Sequence, residues 1–96
     1  MITAKIIRTN NKYFNISVEG HANYAEKGKD IVCCAVSTLM QFVAELLTEN
    51  VETIESEGYI SIFIGTANFW TETVIAMTVR FLYEIATQYP EHLEVL

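Results

Sequence analysis

Proline and glycine are scarce, with one proline and four glycines in 96 residues. That excludes collagen-like and Pro/Gly-rich low-complexity chains, which need those residues in quantity. Long hydrophobic runs are missing too. The longest apolar stretches, 31–36 and 59–64, fall far short of the roughly 20 residues a spanning helix requires, so no membrane segment is expected. The first ten residues, MITAKIIRTN, hold no long apolar stretch and no small-residue cleavage site, so no secretory signal is expected there. Cysteine is confined to Cys33 and Cys34. Adjacent cysteines can bridge each other only through a strained ring, so a reduced pair and a cytoplasmic setting are expected. Positive charge is nearly absent after residue 30. Arg80 stands alone there against nine carboxylates, while residues 1–30 carry a net charge of +2. Direct nucleic-acid binding is disfavoured by that distribution, because phosphate contacts need clustered Lys and Arg. An acidic surface can still attract a basic protein segment, or can simply keep a small apolar domain soluble.

Apolar residues make up 51% of the chain and charged residues 19%, a balance that folds rather than stays disordered. The length supports one domain, residues 1–96, with a single core. The apolar fraction is somewhat high for so small a domain, so either both faces of some element are buried or apolar surface is shared with a second copy of the chain.

Periodicity sets out the elements. Ile2, Ala4 and Ile6 alternate with Thr3, Lys5 and Ile7 and predict a strand; Phe14, Ile16 and Val18 predict a second, antiparallel to the first across an Asn10-Asn11 turn. Residues 23–29 show no periodicity and read as an exposed loop, with Gly28 as a hinge for a lid over substrate. Asp30 reads as an N-cap. The helix it opens runs to about Asn50, with Val32, Val36, Leu39, Val43 and Leu46 as its apolar stripe. A second hairpin spans 51–56 and 59–64 around Glu57-Gly58, placing Ile60, Ile62 and Ile64 on one face. A second helix starts near Asn68 and stops before Pro90. Its main stripe is Trp70, Val74, Met77, Phe81 and Ile85, widened by Ile75, Val79, Leu82 and Tyr83. A stripe this broad predicts packing against both a sheet and another helix, from this chain or from a partner in a homodimer. The tail 92–96 adds a short edge strand. The order ββαββα predicts an α+β domain, two helices layered on an antiparallel or mixed sheet.

The chemistry concentrates at the first helix. With Asp30 as cap, Cys33 is the third helical residue, where the positive end of the helix dipole favours a thiolate. First-turn N–H groups at the same place can hold an oxyanion. His21, at the end of the second strand, is the available general base. Taken by themselves, the two residues read more readily as an exposed loop histidine and a buried small cysteine than as a catalytic pair.

The pattern Gly20-His21-Ala22, then Gly28-x-Asp30-Ile31-Val32-Cys33, then Ala35-x-Ser37 resembles the signature of the ribosomal-processing cysteine protease family (Prp). The motif covers residues 20–37, about a fifth of the chain. The resemblance implies that His21 and Cys33 form a catalytic dyad. It also implies a substrate: the N-terminal extension of large-subunit ribosomal protein twenty-seven in bacteria such as the Firmicutes, which would otherwise intrude at the peptidyl-transferase centre. That substrate is a basic ribosomal protein precursor, in keeping with the acidic part of this chain. Such acyl transfer needs no cofactor and no metal. Position 34 departs from the family pattern: Cys34 stands where a small residue such as Ala is expected. Cys34 shares a helix side with Thr38, Gln41 and Glu45, whereas Cys33 lies with Ser37 and Met40, so Cys33 is the expected nucleophile. Ser37 is a supporting candidate, one turn after Cys33. Asp30 is either cap or the carboxylate that orients His21, and capping is preferred because it already occupies the carboxylate. Two competing readings are a non-catalytic ribosomal-protein-binding module with a degenerate dyad, and a zinc site on His21, Cys33, Cys34 and His92, which lacks the usual CxxC spacing.

Overall fold

A computed structural model describes residues 1–21, 25 and 30–96. The elements run β1 (Ile2–Thr9), β2 (Lys12–Glu19), α1 (Ile31–Leu46), β3 (Val51–Ser56), β4 (Tyr59–Ile64), α2 (Phe69–Gln88) and β5 (Leu93–Val95). The five strands form one sheet in the order β3-β4-β2-β1-β5. β5 joins β1 in parallel, and every other neighbouring pair is antiparallel. The sheet is therefore mixed, as the order ββαββα with a short C-terminal edge strand allows.

Turn chemistry fixes the hairpins. Asn10 and Asn11 both take positive φ, 54° and 63°, the pattern of a tight two-residue turn whose twist matches the strands. One core joins the sheet to both helices. Ile2, Ala4, Ile16, Val18, Ile60 and Ile62 supply the strand side, and Val32, Val36, Met40, Ile75 and Leu82 the helix side.

Four expectations change. β1 and β2 lose step between Ile7 and Arg8, where two β2 positions pass for one on β1. This bulge leaves Phe14 exposed against Phe63, ring centroids 6.0 Å apart, and Asn15 is buried. Asn15 is satisfied there, donating through Nδ2 to Ser61 Oγ at 2.8 Å and to the Ile62 carbonyl at 3.0 Å. α1 ends at Leu46 rather than near Asn50. Thr48 Oγ1 donates to the Ala44 and Glu45 carbonyls, satisfying acceptors the helix leaves orphaned. The α1 stripe is Val32, Val36, Met40 and Val43, extended by Leu47, while Leu46 is exposed.

The largest change is on α2. Its buried face is Thr71, Ile75, Thr78 and Leu82, and Trp70, Met77 and Phe81 are about half exposed. Two threonines enter the core because their hydroxyls are paired locally. Thr78 donates to the Val74 carbonyl at 2.8 Å, and Thr71 shares a capping box with Asn68.

Candidate active site

β2 ends at Glu19, and Gly20 follows with a φ of +103° that excludes most side chains. Space excludes them as well: a β-carbon there would stand 2.5 Å from the Met1 carbonyl oxygen. The Gly20 N–H donates to the Gly58 carbonyl at 2.9 Å, tying the end of β2 to the β3–β4 turn. His21 follows, exposed, with its ring against that turn. A β-carbon on Gly58 would lie 3.1 Å from His21 Nε2 and 3.4 Å from Cε1.

α1 enters from the other side. Asp30 caps it, accepting at Oδ1 from the Val32 N–H at 3.1 Å and the Cys33 N–H at 2.9 Å. Its second oxygen accepts from the Ala25 N–H at 3.5 Å. Asp30 thus anchors the end of the loop as well as the helix. The same bonds correct one expectation: the Val32 and Cys33 N–H groups serve the cap, so they are not open donors for an oxyanion in this arrangement. Cys33 is half buried in the first turn, in the field of the helix N-terminus. The remaining part of segment 23–29, with its lid and the Gly28 hinge, lies outside the described residues.

Cys33 and His21 open onto one cavity of about 200 Å³. Ser37 lines it one helical turn beyond Cys33, and Ile2, Val18, Val36 and Ile60 give it an apolar lining. The structure therefore brings His21, Cys33 and Ser37 together and sets Asp30 at the base of the same helix turn. Cys34 is exposed on another side of α1, with Sγ 4.0 Å from Thr38 Oγ1, and does not line the cavity. Sequence reasoning missed the cavity's remaining polar lining: Gln41, Glu55, Ser56 and Tyr59. Gln41 reads as a solvent-facing residue in a helical projection, and only the approach of β3 makes its side a wall. Gly58 reads as a turn residue; its contact with His21 had no local signal.

The family described as cysteine protease Prp matches residues 1–94. The ribosomal processing cysteine protease Prp of Mycoplasma genitalium is 36% identical over 78 residues, covering 78% of this chain and 79% of its own. In solved structures the same fold occurs in the ribosomal processing protease Prp from S. aureus, crystallised with a covalently linked product peptide. That match has a TM-score of 0.90 at 22% identity and covers 99% of this chain and 97% of the other. A Streptococcus mutans protein matches with a TM-score of 0.80 at 25% identity, over 99% of this chain and 91% of its own. With the match running almost end to end and the fold shared, the chain belongs to the Prp family of cysteine proteases.

Proposed function

We propose that this chain is an endopeptidase whose nucleophile is Cys33 and whose general base is His21, with one domain carrying the whole reaction. The observation that carries the reading is the shared cavity: both side chains reach it from separate elements, β2 and α1, with an apolar lining beside them. His21 accepts the Cys33 proton, and the thiolate attacks the carbonyl carbon of the scissile peptide bond. Collapse of the tetrahedral intermediate breaks the C–N bond, and His21 gives its proton to the departing amine. Water, deprotonated by His21, then cleaves the thioester and restores the thiol. Ser37 supports the thiolate from one turn away. Asp30 acts as cap and loop anchor rather than as a third catalytic member.

The proposed substrate is the basic precursor of large-subunit ribosomal protein twenty-seven, cut to remove its N-terminal extension in the cytoplasm. The name of the Mycoplasma genitalium relative and the acidic character of residues 31–96 support that choice. A homodimer is part of the proposal. Phe42 and Leu46 on α1 and Met77 and Phe81 on α2 border an exposed apolar groove of about 220 Å³. A second copy supplies the cover that such a surface requires.

Incubation with the host's own unprocessed precursor, followed by product mass, tests the function. A single cut that disappears in Cys33→Ala and in His21→Ala is expected. Tight binding of the precursor without any cut would replace the peptidase reading with a binding one.

A further inference from the structure

The cavity at Cys33 does not end at Gln41 and Glu55. Both residues also line a second cavity, of about 470 Å³, bordered further along by Glu45 and Thr48 of α1 and Thr53 of β3. Together the two make one groove between α1 and the edge strand of the sheet. Register explains why it is open. Thr53 and Glu55 pair with Ile62 and Ile60, so they occupy the helix-facing side of β3. On β4 that side is packed core, whereas on β3 it is exposed polar surface.

We infer that this groove takes the substrate chain in extended form and reads basic side chains about four and about six residues from the scissile bond, through Glu55 and Glu45 respectively. The proposal rests on the assignment of Cys33 as nucleophile and adds the substrate chemistry of that site. The spacing comes from the helix. Gln41, which donates through Nε2 to Glu55 Oε1 at 3.4 Å, lies about 12 Å along α1 from Cys33, and Glu45 about 18 Å, at ~1.5 Å per residue. An extended chain rises ~3.3 Å per residue, which places Glu55 opposite about the fourth residue and Glu45 opposite about the sixth. Residues two apart in an extended chain project to the same side, so one strand presents both side chains to the same wall.

The charge is unanswered from within the groove. The Gln41 amide is a neutral donor, and among the described residues no lysine or arginine lines either cavity. As an edge strand, β3 also offers an outer row of backbone N–H and C=O groups to which an extended peptide can add.

A library of short peptides tests this in two ways. Fragments released by the wild-type chain are aligned at their new ends by mass spectrometry, and the same library is captured uncut on immobilised Cys33→Ala. Lys and Arg are expected to be enriched about two- to fivefold at the two positions in both readouts, the size an exposed ion pair supports. Glu55→Gln should remove the nearer preference and Glu45→Gln the farther one. Cleavage without basic enrichment, or enrichment unchanged in both variants, overturns the groove and leaves the carboxylates as charges that keep an edge strand from pairing. Capture of basic peptides without cleavage by wild type keeps the groove and overturns the catalytic assignment instead.

Discussion

The imidazole of His21 rests against Gly58: a β-carbon on that glycine would stand 3.1 Å from Nε2. Gly58 also holds a φ of +71°, which L side chains adopt only with strain. Two residues 37 positions apart are thereby coupled, and the β3–β4 turn becomes the backstop of the proposed base. Gly58→Ala is expected to lower kcat at least tenfold, since small displacements of catalytic groups cost rate steeply, by up to ~100-fold per Å. It should also destabilise the fold by about 1–2 kcal/mol. Gly58→Asn tolerates the backbone better but carries the same β-carbon, so it should recover stability more than kcat. Equal recovery of both would reduce Gly58 to a turn residue.

Asp30 separates cap from catalyst. Its Oδ1 receives two first-turn N–H groups, a geometry asparagine reproduces with nearly equal strength. Asp30→Asn should leave both melting temperature and kcat close to wild type, and Asp30→Ala should cost about 1 kcal/mol in chemical denaturation. If Asn retains stability while kcat collapses, the carboxylate orients His21 and the cap reading is incomplete.

The two neighbouring thiols should differ in function. Cys33 lines the cavity beside His21, and Cys34 is exposed next to Thr38. Cys34→Ala is expected to keep the cleavage rate within about twofold, whereas Cys33→Ser should lose at least ~100-fold, because an alkoxide is far harder to form than a thiolate at neutral pH. Peptide fragmentation by tandem mass spectrometry after brief alkylation should place the first label on Cys33. Survival of cleavage in Cys33→Ser would move the nucleophile to Cys34.

What the sequence made legible follows from local rules. Asp30, Asn68, Asn10-Asn11 and Gly58 each solve a backbone problem within a few residues, so caps and turns could be read directly. That His21 and Cys33 open onto one cavity was expected only through the motif's resemblance to the Prp family; the two residues alone do not announce it. The identity of the buried faces was not legible. α2 carries large apolar residues nearly all round, so its hydrophobic pattern does not choose between Trp70-Met77-Phe81 and Ile75-Leu82. Threonines that internalise their hydroxyls by back-bonding count as core only once the helix exists. The walls of the groove depend on α1 lying beside an edge strand, a relation set by sheet order, which no local spacing encodes.

The packed face of α2 can be measured directly. Leu82 is fully buried and Met77 is 44% exposed. Leu82→Ala should lose about 2–5 kcal/mol of unfolding free energy, the range for emptying a core leucine site. Met77→Ala should change the monomer by about 0.5 kcal/mol or less, as surface substitutions do. The reverse order would restore Trp70, Met77 and Phe81 as the packed face.

The apolar groove between the helices gives a separate test of assembly. Phe81 and Phe42 border it at 49% and 62% exposure, and their neighbours Leu46 and Met77 are also exposed. Burying this band in a symmetric contact removes several large side chains per protomer from water, and aromatic residues dominate such interfaces. Phe81→Glu should therefore shift sedimentation from dimer to monomer at micromolar concentration, because a buried unpaired carboxylate opposes association by several kcal/mol. In the monomer the same substitution faces solvent, so secondary structure by circular dichroism should be retained. A wild-type chain that sediments as a monomer, or a variant that stays dimeric, would remove this groove as the interface.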